Sequence, residues 1–416
     1  MGIIDSKGRP GSRPEWKVLE SWARTRIQEF VQDLLEGEVT ELLGRGKSER
    51  IAAVDGGAGY RNGHGKPRRL TMSSGTVTLR RPRVRGLEEQ FESRVLPLFK
   101  RRTEEVSELL PELYLHGLSC GDFDLALRGL LGEEAPISAS TVARLKEKWL
   151  AEQAEWEARR LDDLEVVYLW ADGLYVKAGL EKDKAAVLVM VAGLADGQKI
   201  VLALRSGHRE SEHSWSTLLR DLKARGLRPP RLLMADGHLG IWSAWAQVFP
   251  EAQEQRCWNH KILNVMDRIP RRLQAAGKPL LTKIPYAESR AEAERAKAVF
   301  RHWCEAHGCQ EAAQALDRDW ERMLTFYSFP KQHWIHLRTT NPIESPFAAL
   351  RLRTDAAKRF KKVPNATAAI WKLLMVAEKT FRRLNAPELM REIYLGAVFV
   401  DGVRLTKNGE KTKAAA

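Results

Sequence analysis

Cysteine is scarce in this chain: there are four in 416 residues, Cys120, Cys257, Cys304 and Cys309. So few thiols, at such irregular intervals, exclude a disulfide framework and fit a reducing compartment. Long apolar runs are missing too. Nothing approaches the roughly 20 residues that a bilayer-spanning helix needs, and the charged N-terminal stretch has no apolar signal core. These absences point to a soluble protein of the cytoplasm with no membrane partner. Acid is also in deficit, with 54 Asp and Glu against 68 Lys and Arg, a formal net charge of +14 and a pI near 9.6. So basic a surface attracts polyanions through its long-range field and through counterion release, and nucleic acid is the foremost such partner. No internal repeat is present. The length exceeds one ordinary hydrophobic core, so several modules are expected.

What is there changes texture along the chain. Apolar residues from Trp16 to Leu42 recur at helical spacing, which predicts an amphipathic helix broken near Gly37. "RRLTM" and "TVTLRRP" flank a Ser-Ser-Gly turn and read as a basic β-hairpin, completing an N-terminal region of residues 1–100. Across residues 101–160 three helical pieces follow, split by Gly117 and by "GEEAPIS". They suit a DNA-binding helix-turn-helix and, equally, a plain helical linker bundle. From Leu164, "EVVYLWADGLYV", "AAVLVMVAGLAD" and "KIVLALRSGH" read as an antiparallel meander of three strands. Then come a helix, the short buried strand "RLLMAD", a second helix and the strand "EAQEQRCW". The fold class is therefore α/β, and the order βββαβαβ is that of a ribonuclease H-like core over residues 161–262. Residues 263–335 read as an all-helical insertion, 336–405 as completion of the core, and 406–416 as a disordered tail.

Three carboxylates stand out. Asp172 interrupts the apolar run "LWADGLYV", where a buried charge is costly unless paired or liganded. Asp236 ends the strand "RLLMAD", at the strand terminus where α/β sheets gather ligands. Glu344 opens a helix after "TTNPI", with Pro342 suited to the first turn. Taken singly, each has a plain structural reading. Asp-Gly is a turn pair at both aspartates, and a Glu in a first helical turn complements the macrodipole. Taken together, strand, strand end and helix start are the places from which a ribonuclease H-like sheet brings three acids into one cleft. Such a cluster suits phosphoryl transfer, because hard Mg²⁺ ions prefer carboxylate oxygens and two of them about 4 Å apart serve the attacking and leaving oxygens.

Five blocks, in order, carry a resemblance: "GYRNGHGKPRRLTMSSGTVTLRRPRVRG", "ELYLHGLSCGDFDLALRGLLG", "LWADGLYVKAG", "ADGHLGIWSAWAQVFPEAQEQRCWNHKILNVMDRIP" and "HLRTTNPIESPFAALRLRT". They resemble the IS256 or Mutator-type transposases of bacterial insertion sequences. The resemblance implies a DDE transposase whose catalytic, metal-binding triad is Asp172, Asp236 and Glu344, with Mg²⁺ as cofactor and Mn²⁺ able to substitute. It further implies N-terminal modules that bind the terminal inverted repeats, cleavage by metal-activated water, and joining of 3′ ends to target DNA. A homodimer or larger assembly on DNA would follow, associated with a bacterial nucleoid. Two rival readings stand beside it, a catalytically inactive DNA-binding regulator derived from a transposase and a metal nuclease on the same fold.

Other residues cluster in the same blocks. Cys257 and His260 are that family's Cys-x-x-His, expected to brace the insertion beside the cleft with His260 near the scissile phosphate. Cys304, His307 and Cys309 in "WCEAHGC" offer metal-like spacing. Zinc is nevertheless not expected, because this second group lies outside the family pattern and Cys commonly packs as a small core residue. His238, two residues past Asp236, is expected to orient a carboxylate. Arg256, Lys261, Arg338, Arg351 and Arg353 are expected to contact DNA phosphates. Trp258 is the aromatic singled out for stacking on a base, although core packing accounts for most of the tryptophans.

Overall fold

The N-terminal helix, α1 (Trp16–Leu43), runs unbroken through Gly37, against the expectation of a break there. Leu35 and Val39 flank the glycine and are both fully buried. Anchoring on either side outweighs the ~1 kcal/mol that one glycine costs a helix interior. The computed structural model describes residues 16–49, 59–87, 89, 91–97, 101–106, 109, 113, 128, 131, 139–178, 185–207, 210–237, 239–356, 360 and 362–405. Most of the first two pieces of the proposed helix-turn-helix, and the tail at 406–416, lie outside the described residues. The chain divides into two units, residues 1–145 and 146–416.

In the first unit, α1 is followed by β1 (Tyr60–His64), β2 (Arg68–Met72), β3 (Gly75–Leu79) and β4 (Pro82–Arg85). The expected hairpin is β2–β3, with Met72 opposite Gly75. Gly75 has φ +120°, a conformation that side chains disfavour. Strand alternation turns Leu70, Val77 and Leu79 inward onto Leu35 and Leu96. The outer edge of β3 is closed by side chains: Gln28 and Gln32 of α1 accept from the amides of Thr78 and Arg80, each at 2.9 Å, and Gln32 Nε2 donates to the Arg80 carbonyl.

In the second unit, α2 (Ala139–Ala158), which begins in the first, leads to β5 (Val166–Val176), β6 (Ala185–Leu194) and β7 (Lys199–Gly207), the antiparallel meander that the sequence suggests. Then follow α3 (Glu212–Ala224), β8 (Leu232–Ala235), α4 (Leu239–Val248) and β9 (Gln253–Arg256). The five strands form one mixed sheet in the order β7-β6-β5-β8-β9, with β5, β8 and β9 parallel. Leu169, Ala171, Leu233 and Ala235 face one side, against Trp215 and Trp245 of α3 and α4. Tyr168 and Trp170 face the other, where the Tyr168 hydroxyl meets His333 Nδ1 at 2.9 Å and Trp170 Nε1 donates to the His336 carbonyl. No helix among the described residues is long and apolar enough to cross a membrane.

Beyond β9 the chain is helical as far as residue 337: α5 (Trp258–Met266), α6 (Arg271–Lys283), α7 (Arg290–Ala306), α8 (Gln310–Asp317), α9 (Trp320–Leu324) and α10 (Trp334–Leu337). Around "SFPKQHWIHL" the chain forms short 3₁₀ turns and α10. Two longer helices, α11 (Asn341–Ala356) and α12 (Val363–Glu378), then pack on β5 and β7 respectively.

Candidate active site

Parallel register sets the first two acids. Trp170 of β5 aligns with Met234 of β8, so two residues further on Asp172 and Asp236 emerge beside each other. By alternation both point to the sheet face of Tyr168 and Trp170. The Gly173 amide donates to Asp172 Oδ1 at 2.8 Å. Burial pushes the Asp172 carboxyl up to about 7, with Asp236 and Glu210 adding as negative neighbours and the Gly173 amide and His260 opposing.

Glycines make room around these acids. A Cβ on Gly237 would collide with the Arg256 guanidinium, which passes beneath the turn after Asp236 and pairs with Asp319 at 2.7 Å. A Cβ on Gly173 would collide with the Glu210 carboxylate. Glu210 is buried and hydrogen-bonds the Tyr175 phenol, which is raised to about 12 by burial first and then by Glu210. Sequence reasoning missed both residues: "HRES" carries no pattern that separates Glu210 from an exposed loop acid.

Glu344 sits in the first turn of α11, where its amide bonds the Thr340 carbonyl at 3.0 Å. The Thr340 hydroxyl contacts Glu344 Oε1 and lies 3.2 Å from Cys257 Sγ, and the Thr340 amide donates to the same sulfur at 3.3 Å. A hydroxyl has one proton, which serves the carboxylate or the sulfur but not both at once. Cys257 caps α5, and one turn later His260 places Nδ1 3.9 Å from Glu344 Oε1. The Cys257 side chain, followed by Asp236 and Glu344, raises the imidazole to about 9, against the opposing effect of burial. His260 thus feels all three acids. The sulfur, a ring nitrogen and the Glu344 carboxylate lie within 4.8 Å of one another, the one group of at least three such potential metal donors among the described residues. Thr340 was also missed, although it stands four residues before Glu344 in the quoted block.

The remaining site residues divide. Trp258 is buried with Nε1 on the Met323 carbonyl at 2.8 Å, and fully buried Lys261 bonds the Arg318 carbonyl. Burial pushes the Lys261 ammonium down to about 7. Arg256, Trp258 and Lys261, the expected DNA contacts, are thus engaged by the core in this structure. Arg338 is different. Its guanidinium stacks on Tyr286, Phe326 and Trp334 at 4.9, 5.3 and 5.6 Å, and its buried Nε has no hydrogen-bond partner. Burial lowers its pKa. Arg351 is exposed on α11, and Arg353 belongs to the same helix. His238 lies outside the described residues. Cys304 and Cys309 are buried together, the Cys309 amide on the Cys304 carbonyl at 2.8 Å. Exposed His307 stacks on Trp303. None of these three is among the donors gathered at Cys257.

Comparison with known proteins adds a family. The model described as "Transposase, Mutator family" matches residues 12–383. The transposase for insertion sequence element IS6120 of Mycolicibacterium smegmatis is 43% identical over 297 residues, 71% of this chain and 92% of that protein. The transposase for ISRM5 of Rhizobium meliloti is 30% identical, covering 87% of this chain and 89% of its own length. The transposase for IS256 in transposon Tn4001 of Staphylococcus aureus is 25% identical over 87% of this chain.

Proposed function

Since the chain belongs to the Mutator family of transposases, we propose that it is a DDE transposase with a ribonuclease H-like catalytic core. It cuts DNA at the terminal inverted repeats of its element and joins the 3′ ends to target DNA. The observation that carries this reading is the pair of acids, Asp172 and Asp236, brought side by side on one sheet face by the β5–β8 register. The strand order, with β6 and β7 paired antiparallel on one side of β5 and β8 and β9 paired parallel on the other, supports the assignment of the core.

A divalent metal, Mg²⁺ by this reading with Mn²⁺ as a substitute, would be held by Asp172, Asp236 and Glu344. The donor chemistry fits: Asp172 is half-buried beside a second carboxylate and so resists ionisation, a cost that a hard cation offsets. When bound, such ions supply Lewis acidity at the phosphate. The chain's own residues do the positioning. The sheet fixes Asp172 and Asp236. Thr340 orients the Glu344 carboxylate. His260, cationic at neutral pH, faces the phosphate, and Arg338 offers a guanidinium braced on three rings. Recognition of element ends belongs to the basic N-terminal unit, and two ends handled together call for a homodimer or larger assembly.

Incubating the protein with labelled element ends, a plasmid target and Mg²⁺ or Mn²⁺ tests the reading. Nicked ends and joined products are expected. Binding without cleavage would leave a DNA-binding regulator, and cleavage without joining a nuclease.

A further inference from the structure

The geometry points to a second cation site, made by Cys257, His260 and Glu344, of the kind that takes a thiophilic divalent ion of the zinc class. Its three donors come from one end of α5 and the start of α11 and already lie within 4.8 Å of one another. A tetrahedral zinc site sets its donors roughly 3.3–3.8 Å apart, given metal–ligand bonds of about 2.0–2.3 Å. His260 Nδ1 and Glu344 Oε1, at 3.9 Å, stand close to that spacing, and side-chain rotation closes the rest.

A second observation is that His260 Nδ1 is shielded from solvent and makes no hydrogen bond of ordinary length, its interaction being with the Cys257 side chain. Buried ring nitrogens are ordinarily satisfied, and this one faces the Glu344 carboxylate and the Cys257 sulfur. The sulfur in turn receives the Thr340 amide at 3.3 Å, a donor that orients it as outer hydrogen bonds do around bound metals. Three protein donors leave one position open, the pattern of a site that keeps an exchangeable ligand rather than a closed structural site. Sulfur and imidazole discriminate against Mg²⁺. An ion held here draws on the same Glu344 carboxylate that the transposase reading assigns to the Mg²⁺ site, so the two sites exclude each other. That competition rests on the transposase reading; the binding does not.

Cobalt(II), a spectroscopic stand-in for zinc, separates the two. Titrated into metal-free full-length protein, Co²⁺ should give a near-ultraviolet sulfur-to-metal band saturating at about one ion per chain and bleached by Zn²⁺. The band should vanish in Cys257→Ser and persist in Cys304→Ser, Cys309→Ser and Asp172→Asn. If Cys257→Ser does not fold, judged by its circular dichroism, His260→Gln takes its place and should shift the visible cobalt bands. Absence of the band in wild type, its survival in Cys257→Ser, or unchanged bands in His260→Gln overturns the site. In a second arm, Zn²⁺ added to Mg²⁺-supported cleavage should lower the wild-type rate at least about tenfold and leave Cys257→Ser near its own zinc-free rate. Equal inhibition of both overturns the competition. If Mg²⁺ supports no cleavage at all, the transposase reading fails while the cobalt titration still decides the site.

Discussion

The two flanks of the candidate active site are built by different means. Asp172 and Asp236 are placed by backbone, through the aligned residues of two parallel strands buried on both faces. Glu344 is placed by side chains: a threonine hydroxyl, a cysteine sulfur and an imidazole on two helix starts. A strand register moves only if the sheet slips, whereas a carboxylate on a helix turns with its rotamer. The strand flank is therefore the fixed half of the site and the helix flank the adjustable half.

The largest effect should come from the fixed half. Asp172→Asn or Asp236→Asn should lower cleavage and joining of labelled ends by on the order of a thousandfold or more, with binding to those ends within a few-fold of wild type. A substantial residual rate in either would separate the strand acids from the chemistry. Glu344→Gln should lose as much. A loss of less than about tenfold there, with both aspartate variants inactive, would move the third ligand elsewhere and dissolve the comparison.

A middle-sized effect isolates the adjustable half. Thr340→Val preserves volume at a fully buried position but removes the hydroxyl that joins Cys257 to Glu344. Single-turnover cleavage should fall by about tenfold, the scale for groups that orient a ligand, while affinity for the ends is unchanged. No change in rate would mean that Glu344 needs no such support.

Stability against pH gives a smaller and quieter readout. Asp172 titrates near 7 when folded, against an ordinary 3.8, so between those values the folded chain keeps a proton that the unfolded chain has lost. Metal-free protein is thus favoured by this group below about pH 4, and the contribution is lost as pH rises to about 7. His260, raised from 6.5 to about 9, contributes with the same sign in a higher window. Melting temperatures in chelator from about pH 5 to about pH 7 should fall less steeply for Asp172→Asn than for wild type. The smallest effect is expected from Lys261→Met. Replacing a buried ammonium with an apolar side chain of similar length should leave stability equal or slightly higher and DNA affinity unchanged, whereas a phosphate contact would show as a weakened, less salt-dependent complex.

The fixed half was the legible half. "LWADGLYV" and "RLLMAD" are strands by composition, and an acid at the end of a buried strand announces itself. The helix flank was placed only through the quoted "TTNPIES" block, because Glu344 in a first turn looks like any macrodipole partner. Arg256, Lys261 and Trp258 mark a physical limit of such reading: charge and aromaticity are visible in a sequence, but burial beneath an insertion is set by residues far along the chain, such as Asp319, Arg318 and Met323. Cys304 and Cys309 have metal-like spacing in the sequence, and the fold buries both.

Gly237 carries a consequence for heredity. Every amino-acid replacement at that position introduces a Cβ, and the guanidinium of Arg256 must then move off its place beside Asp236, straining its pairing with Asp319. A mobile element survives as many copies, each free to drift once its host gains nothing from movement. Residue 237 is then a sentinel in such a lineage: a copy that has lost this glycine should already be silent, even with all three acids intact.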